Sequence, residues 1–249
     1  MSLINVDLNA LATGAADYLA SLYVSNDSNP GIALLFYDSS FVDIMGTNTS
    51  CRKIADLDWQ AFHEGGVYNK ENNSVYTSSN FVSLADNINV TVLSLETIPQ
   101  SSTPPMQVCS LSDVKQHPET GDLWFSDPEF FVMVLFRLTV SSSPPTTSHC
   151  MSDTGARESN WDLSRSATIS AYDIIANKRL EDKCLFAFAD KGIPDGVRTD
   201  TNGNVWAGCD DGMHIWNPED ILVGKIYLTE TSNNFAFAPG KAFVKKSTP

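Results

Sequence analysis

The sequence lacks an uninterrupted apolar run of about 18 residues, so it predicts no membrane-spanning helix. The first residues, Met1 to Asp7, have neither a basic start nor an unbroken apolar core, and no signal peptide is predicted. No two cysteines are spaced as CxxC, and the five cysteines are an odd number, which argues against a complete set of disulfides. These absences favour a cytoplasmic protein with reduced thiols.

Two catalytic signatures are missing as well. The chain has no G-x-S-x-G element and no G-x-G-x-x-G phosphate-binding loop after a strand. Its four histidines and five cysteines have no spacing typical of a metal site. The sequence therefore indicates neither a nucleophilic serine hydrolase nor a dinucleotide-binding protein nor a Cys/His metal centre.

Basic residues are scarce: 16 Lys and Arg stand against 30 Asp and Glu, which gives a net charge of −14. Such a surface repels phosphate, so neither a nucleic acid nor an anionic membrane is expected as a partner. Carboxylates are the preferred ligands of Ca²⁺ and Mg²⁺, so the composition is compatible with a site for a hard cation. The 249 residues suit one larger all-β or α/β domain or two small ones.

The chain does contain many short apolar segments separated by Gly, Asn, Asp and Ser. Residues 1–30 form an N-terminal arm, in which the apolar positions from Val6 to Tyr23 predict a partly helical segment. Ile32–Tyr37 predicts a buried strand, and Phe41–Gly46 is expected to be short and partly extended. Further strands are predicted over 75–77, 88–93, 123–125, 168–172, 205–207, 213–216 and 225–228. Many short strands indicate an all-β sandwich, barrel or propeller.

One short pattern occurs three times: a polar turn, an apolar residue, an aromatic residue and then small residues. Its copies are 69–78, 117–126 and 200–208, with Tyr76, Trp124 and Trp206 as the aromatic residues. The first interval corresponds to about one propeller blade, and the second to about two blades of ~40 residues each. The repeat therefore favours a single β-propeller domain over residues 31–249, with these aromatic residues packed between blades.

An acidic residue stands just upstream of each copy: Glu64 before the first, Asp113 before the second and Asp195 before the third. Asp195 lies between a proline that fixes φ and a glycine that permits a sharp turn. Equivalent positions of a propeller converge at one end of its axis. Carboxylates gathered there would repel one another unless a cation lay between them, which predicts a metal site.

Three elements carry a family resemblance: His63–Gly65, Asp113–Pro128 and Ile193–Gly196 with the strand that follows it. They resemble the gluconolactonase and lactonohydrolase family, which includes the senescence-marker-type lactonases and the fungal lactonohydrolases. The resemblance implies a six-bladed propeller that holds one divalent cation, usually Ca²⁺, and hydrolyses lactones.

Carried over residue by residue, the resemblance implies that Glu64 and Asp195 are metal ligands. It implies that Asp113, together with Asp195, is catalytic, and that Ser112 and Asp113 contact a small-molecule lactone substrate. His63 is interpreted either as a general base or as a packed strand residue. His214 is interpreted as a structural strand residue. The sequence leaves the identity of the lactone and the oligomeric state open.

The chain departs from the family pattern at two ligand positions. Ser112 stands where the first asparagine ligand is expected, and the second asparagine ligand has no counterpart. Residues 129–150 are irregular and are interpreted as missing or out-of-frame sequence, so part of a central blade is expected to be absent; a further strand is also expected to be missing after Val244. Three hypotheses stay open: a Ca²⁺-dependent lactone hydrolase, a non-catalytic propeller with an incomplete metal site, and a defective gene model of a normal enzyme.

Overall fold

A computed structural model of the full chain gives the architecture. It describes residues 3–10, 13, 18, 22, 32–51, 54–55, 61–79, 88–96, 106–108, 114–116, 123–125, 148–153, 166–175, 179–228 and 230–245.

Strands dominate the described residues, and the expected all-β class is confirmed. The strands in chain order are β1 Leu3–Asn5, β2 Ala33–Phe36, β3 Glu64–Asn69, β4 Ser74–Ser78, β5 Ile88–Ser94, β6 Met106–Val108, β7 Val114–Gln116, β8 Leu123–Phe125, β9 Ser148–Asp153, β10 Thr168–Ile175, β11 Arg179–Phe188, β12 Val197–Thr199, β13 Val205–Cys209, β14 Gly212–Trp216, β15 Leu222–Tyr227, β16 Phe235–Ala238 and β17 Lys241–Val244. Helical residues occur at 8–10, 13, 18 and 22, and a short helix spans Ser40–Met45. The N-terminal arm over residues 1–30 stays a prediction.

The chain divides into two compact units. The first unit comprises Met1–Arg52, Cys150–Ser170 and Cys184–Ser232, and the second comprises Lys53–His149, Ala171–Lys183 and Asn233–Pro249. A three-stranded sheet of order β11-β10-β9 is described as well, and the division between the units falls within each of its three strands. The single propeller domain over residues 31–249 stays a prediction.

The first unit contains a six-stranded sheet of order β1-β2-β15-β14-β13-β12. The turn from β12 to β13 is fixed by the Asp200 carboxylate, because its Oδ1 accepts the amide N–H groups of Asn202 at 2.9 Å and Asn204 at 3.0 Å. Its Oδ2 accepts the indole N–H of Trp206 at 3.1 Å. The polar turn and the aromatic residue of the repeated pattern thus stabilise one hairpin, as Asx-turn chemistry predicts.

Every residue of β13 and β14 is buried, so both faces of these central strands are covered. Apolar runs of this kind are typical of strands that contact neighbours on each side. One cluster in the core consists of Ile169, Ala187, Val197, Val205, Ala207, Cys209 and Trp216. The first unit therefore has a core that can hold nearby loops in place.

Phe41–Gly46 is not extended, and that expectation was wrong. The Asp38 carboxylate accepts the amide N–H of Ser40 at 2.9 Å, which is an Asx-turn contact just before the helix. Gly46, with φ of 80°, ends it. The fully buried Phe41 ring lies where a Cβ on Gly224 of β15 would stand, so contact with a distant strand decides this segment.

The second unit contains a four-stranded sheet β3-β4-β5-β6 and the hairpins β7-β8 and β16-β17. The first two copies of the repeated pattern coincide with the hairpins β3-β4 and β7-β8. Strand β3 lies against both β7 and β16. Its pairing with β4 is interrupted by a bulge between Glu64 and Val67, and bulges commonly change the direction of a side chain.

A substitution at Gly66, which lies in this bulge, tests the close approach of β3 and β16. Its φ is 144°, and a Cβ there would lie 2.5 Å from the Phe235 carbonyl oxygen. We expect Gly66→Ala to lower the free energy of unfolding by about 3 kcal/mol, because backbone strain and a backbone clash combine. The matched control is Gly240→Ala, where φ is 64° and nothing lies within 4 Å.

The control should cost about 1 kcal/mol from backbone strain alone. Urea unfolding followed by circular dichroism measures both variants. Equal losses of unfolding free energy in the two variants would contradict the tight packing of β3 on β16.

Candidate functional site

The loop from Asp190 to Gly196 leads from β11 into β12 and carries Asp195. The Asp195 amide N–H donates to the Gly208 carbonyl at 2.9 Å, and the Gly208 N–H donates back to the Gly196 carbonyl at 3.1 Å. At Gly192, where φ is 78°, a Cβ would clash with the Asp210 side chain. Backbone hydrogen bonds and close packing thus hold this loop against the end of β13, and Asp195 itself is exposed.

Glu64 is the first residue of β3, opposite Ser78 of β4. The preceding His63 donates its backbone N–H to the Ser78 carbonyl at 2.9 Å, and its Nε2 lies 2.8 Å from the Asn233 amide nitrogen. His63 is therefore a hydrogen-bonded residue of the second unit, and its role as a general base stays a prediction. Glu64 belongs to the second unit and Asp195 to the first, and a shared ion between them also stays a prediction.

Ser112 and Asp113 lie outside the described residues, as does most of the irregular segment 129–150. Their roles in substrate binding and catalysis, and the missing part of a blade, remain predictions from the family resemblance.

A second acidic site lies in the first unit, where the structure brings together Lys225, Asp190, Asp211 and His214, here called the Lys225 cluster. Lys225 Nζ lies 2.6 Å from Asp190 Oδ1, 2.9 Å from Asp190 Oδ2 and 3.1 Å from Asp211 Oδ2. His214 Nε2 lies 2.6 Å from Asp211 Oδ1. Because an ionised carboxylate only accepts, Nε2 carries the proton of this hydrogen bond.

The Lys225 cluster is largely shielded from water. The exposed fractions of the side chains are 0% for His214, 4% for Lys225, 15% for Asp211 and 48% for Asp190. His214 Nδ1 is buried without a hydrogen-bond partner, 3.6 Å from Asp190 Oδ1. Charged groups this deeply buried are found paired, since desolvation would otherwise outweigh any gain.

The electrostatics follow from this pairing. Burial opposes ionisation of Asp211, but the hydrogen bond and charge of His214, and then those of Lys225, outweigh it and lower the pKa of this carboxyl below its usual value. Burial, and then the charges of Asp190 and Asp211, raise the pKa of the nearby Tyr37 phenol. The Asp211 carboxylate is therefore ionised beside the Lys225 ammonium.

The ligand atoms of Asp190, Asp211 and His214 lie within 4.8 Å of one another, a separation that suits a metal ion. The Lys225 ammonium, however, already contacts both carboxylates. A metal ion could bind here only by displacing a buried lysine, which would then lose its counter-charges. The cluster is better described as a cation site occupied by a side chain.

Sequence reasoning missed this cluster. Asp211 lies in the turn between β13 and β14, and His214 lies on β14, as expected of a structural strand residue. The available signal was a single polar residue inside each of two apolar runs, His214 in β14 and Lys225 in β15. These two residues are opposite each other in the strand pairing, so their side chains share one face of the sheet.

No helix among the described residues is long and apolar enough to cross a membrane. The sequence matches no protein-family model and no curated protein. A solved structure of a candidate gluconolactonase does match, at 18% identity and a TM-score of 0.56, over 86% of this chain and 95% of that one.

The two proteins share a fold. A gluconolactonase from Xanthomonas campestris matches at 13% identity and a TM-score of 0.33, over 84% of this chain and 60% of that one. The calcium-binding protein regucalcin from Agrobacterium tumefaciens matches at 9% identity and a TM-score of 0.27, over 67% of this chain and 46% of that one. The candidate gluconolactonase is a protein of the kind that the sequence resemblance predicted. This chain spans about half to three fifths of the lengths of the last two proteins.

The charge on Asp211 predicts a pH dependence of stability. Because its folded-state pKa is lowered, its contribution is complete above the ordinary value of 3.8 and is lost as the pH falls through the lower folded-state value. We expect Asp211→Asn to be less stable than the wild type by about 3 kcal/mol at neutral pH, since Lys225 and His214 lose a buried partner.

This difference should shrink as the pH falls below about 4, because the Asp211 carboxyl of the unfolded wild-type chain takes up a proton there, and it should be lost below the lower folded-state value. Urea unfolding between neutral pH and about pH 3 measures it. Asp173→Asn, which removes a charge from an exposed position, is the control and should lose less than about 0.5 kcal/mol. A deficit of Asp211→Asn that did not change with pH would contradict the assignment.

Proposed function

We propose that this protein is a metal-dependent hydrolase that opens a lactone ring by attack of water on the ester carbonyl. The observation that carries the proposal is the exposed Asp195, which lies on a loop held in place at the entry to β12. The fold shared with a candidate gluconolactonase supports it. The substrate class is a small-molecule lactone.

We propose further that the sheets are blades of a six-bladed-type propeller. Strand β3 begins one sheet of the second unit, β7 and β16 each begin a hairpin, and β3 lies against both of them. Neighbouring first strands are expected around a propeller axis, where blades meet along their innermost strands. Gly66 supports this arrangement, because the absence of a side chain lets β3 approach the backbone of Phe235.

Glu64 and Asp195 are the proposed metal ligands, since each offers a carboxylate to a hard divalent cation. The donor set fits Ca²⁺, which binds oxygen atoms and tolerates irregular geometry. Neither residue belongs to the Lys225 cluster, whose two carboxylates contact a lysine. A divalent cation held there would supply polarisation of the lactone carbonyl.

The chain's own residues then have three tasks. Asp195 and Glu64 fix the charge of the site, and Ser112 orients the substrate with its hydroxyl. Asp113 accepts a proton from the attacking water as the new C–O bond forms. When the ring C–O bond breaks, the same carboxyl returns the proton to the alcohol that leaves.

A non-catalytic propeller is the second candidate. It is favoured by Ser112, whose short hydroxyl stands in place of an asparagine ligand, and by the lack of a second asparagine. Such a protein would share the fold and bind metal weakly, and it would turn over no lactone.

Asp195→Asn tests the proposal. We expect it to weaken Ca²⁺ binding, measured by isothermal titration calorimetry, and to lower kcat/KM on a panel of lactones by about 100-fold or more, because charge at the reacting centre is lost. Asp173→Asn is the charge-matched control and should bind and react as the wild type does. Removal of the metal with a chelator should abolish the activity reversibly.

Two results would reject the metal-dependent hydrolase. One is ring opening that proceeds equally with and without chelator in both variants. The other is a wild-type protein that binds no Ca²⁺ and opens no lactone of the panel, which would favour the non-catalytic propeller.

A further inference from the structure

We infer that Lys225 is a positioning residue for Asp195: its buried ammonium acts as an internal cation that holds the loop Asp190–Gly196 on the β13–β14 hairpin. This inference rests on the proposed function, since it gives Asp195 a role as metal ligand. It assigns a function to a charged group that the proposed reaction does not use.

The ammonium joins two loops that are far apart in sequence. Asp190, at the start of the loop that bears Asp195, is 35 residues from Lys225, and Asp211, in the β13–β14 turn, is 14 residues from it. Both carboxylates contact Nζ within 3.1 Å. The lysine therefore fixes the distance between the loop and the turn.

His214 sets the orientation of the Asp211 carboxylate toward Lys225. It donates to Asp211 Oδ1 at 2.6 Å, which leaves Oδ2 directed at Lys225. His214 and Lys225 are opposite each other on β14 and β15, so backbone pairing determines how far apart the two donors stand. The position of the Asp211 carboxylate is thus determined from two sides.

The far end of the loop is held on the same hairpin. Asp195 N–H donates to the Gly208 carbonyl, Gly208 N–H donates to the Gly196 carbonyl, and Gly192 packs directly on Asp210. The side-chain ion pair at Asp190 and the backbone bonds at Asp195 therefore fasten the two ends of one short segment. Loss of the ion pair at Asp190 should therefore weaken the backbone hydrogen bonds at Asp195.

Stability alone gives a weak reason for a lysine at this position. A buried ion pair often contributes no more than apolar residues of similar volume, because desolvation of the charges offsets their attraction. What the ammonium adds is a fixed geometry for two carboxylates.

The test compares three variants of the full chain: Lys225→Met, Lys225→Arg and, as a control, Lys241→Met at an exposed position on β17. The first readout is amide hydrogen exchange at Asp195 and Gly208. The internal reference is the Asp200 amide, which donates to Asn204 in the turn at the other end of β13. The second readout is the Ca²⁺ dissociation constant from calorimetry.

We expect Lys225→Met to speed amide exchange at Asp195 and Gly208 by about 10-fold or more, because the loop Asp190–Gly196 can then open without the rest of the unit. Exchange of the Asp200 amide should be unchanged. Its Ca²⁺ dissociation constant should rise by about 10- to 100-fold, the usual effect of losing a group that orients a ligand. Lys225→Arg should restore part of both effects, because the guanidinium keeps the charge. Lys241→Met should change neither.

Asp190→Asn is the second variant, because Lys225→Met removes a buried charge and could fail to fold. Asp190 is about half exposed, so this substitution weakens the loop contact with little effect on the core. Faster exchange at Asp195 in Asp190→Asn, and in Lys225→Met where that variant folds, supports the inference. Unchanged exchange in Asp190→Asn overturns it. A wild type without Ca²⁺ binding would reject the proposed function, whereas the exchange experiment would still decide the role of Lys225.

Discussion

A lysine ammonium buried among strands needs carboxylates beside it to balance its charge. This requirement fixes the positions of two loops in the first unit. Lys225 is on the central part of a sheet, yet its charge is balanced by carboxylates from two loops. Those loops cannot move away without leaving a buried charge unpaired, which is one of the costliest defects in a protein. The geometry of the loop that carries Asp195 is thereby linked to the pairing of β14 with β15.

Local chemistry explains which parts of the fold the sequence predicts. The hairpin at Asp200 follows from a carboxylate that binds the amides of its own turn, and the apolar strands follow from runs of buried residues. Phe41 illustrates the limit. Its segment resembles a strand, but it forms a helix because the ring fills the space beside Gly224, a neighbour that no local pattern reveals.

The residues of the candidate site also differ in whether the local sequence reveals them. Asp195 and Glu64 are predicted from a repeated motif and a family resemblance, because each precedes a hairpin with a regular pattern. The Lys225 cluster depends on strand register and on a turn that folds back beside it, so sequence spacing between Asp190 and Lys225 carries no signal. A polar residue in an apolar run indicates burial, and its partner becomes apparent only once the strands are paired.

Two aspartates of one loop thus differ in what balances their charge. Asp190 contacts an internal ammonium, which is permanently present and independent of the solution. Asp195, at the other end of the loop, faces solvent, where a dissolved cation can reach it. If Asp195 is a metal ligand, the Lys225 ammonium holds the loop in place and a bound Ca²⁺ ion takes part in the reaction. Calcium removal should then abolish activity without loosening the loop. A carboxylate that both held the loop and bound the ion could not keep these two functions separate.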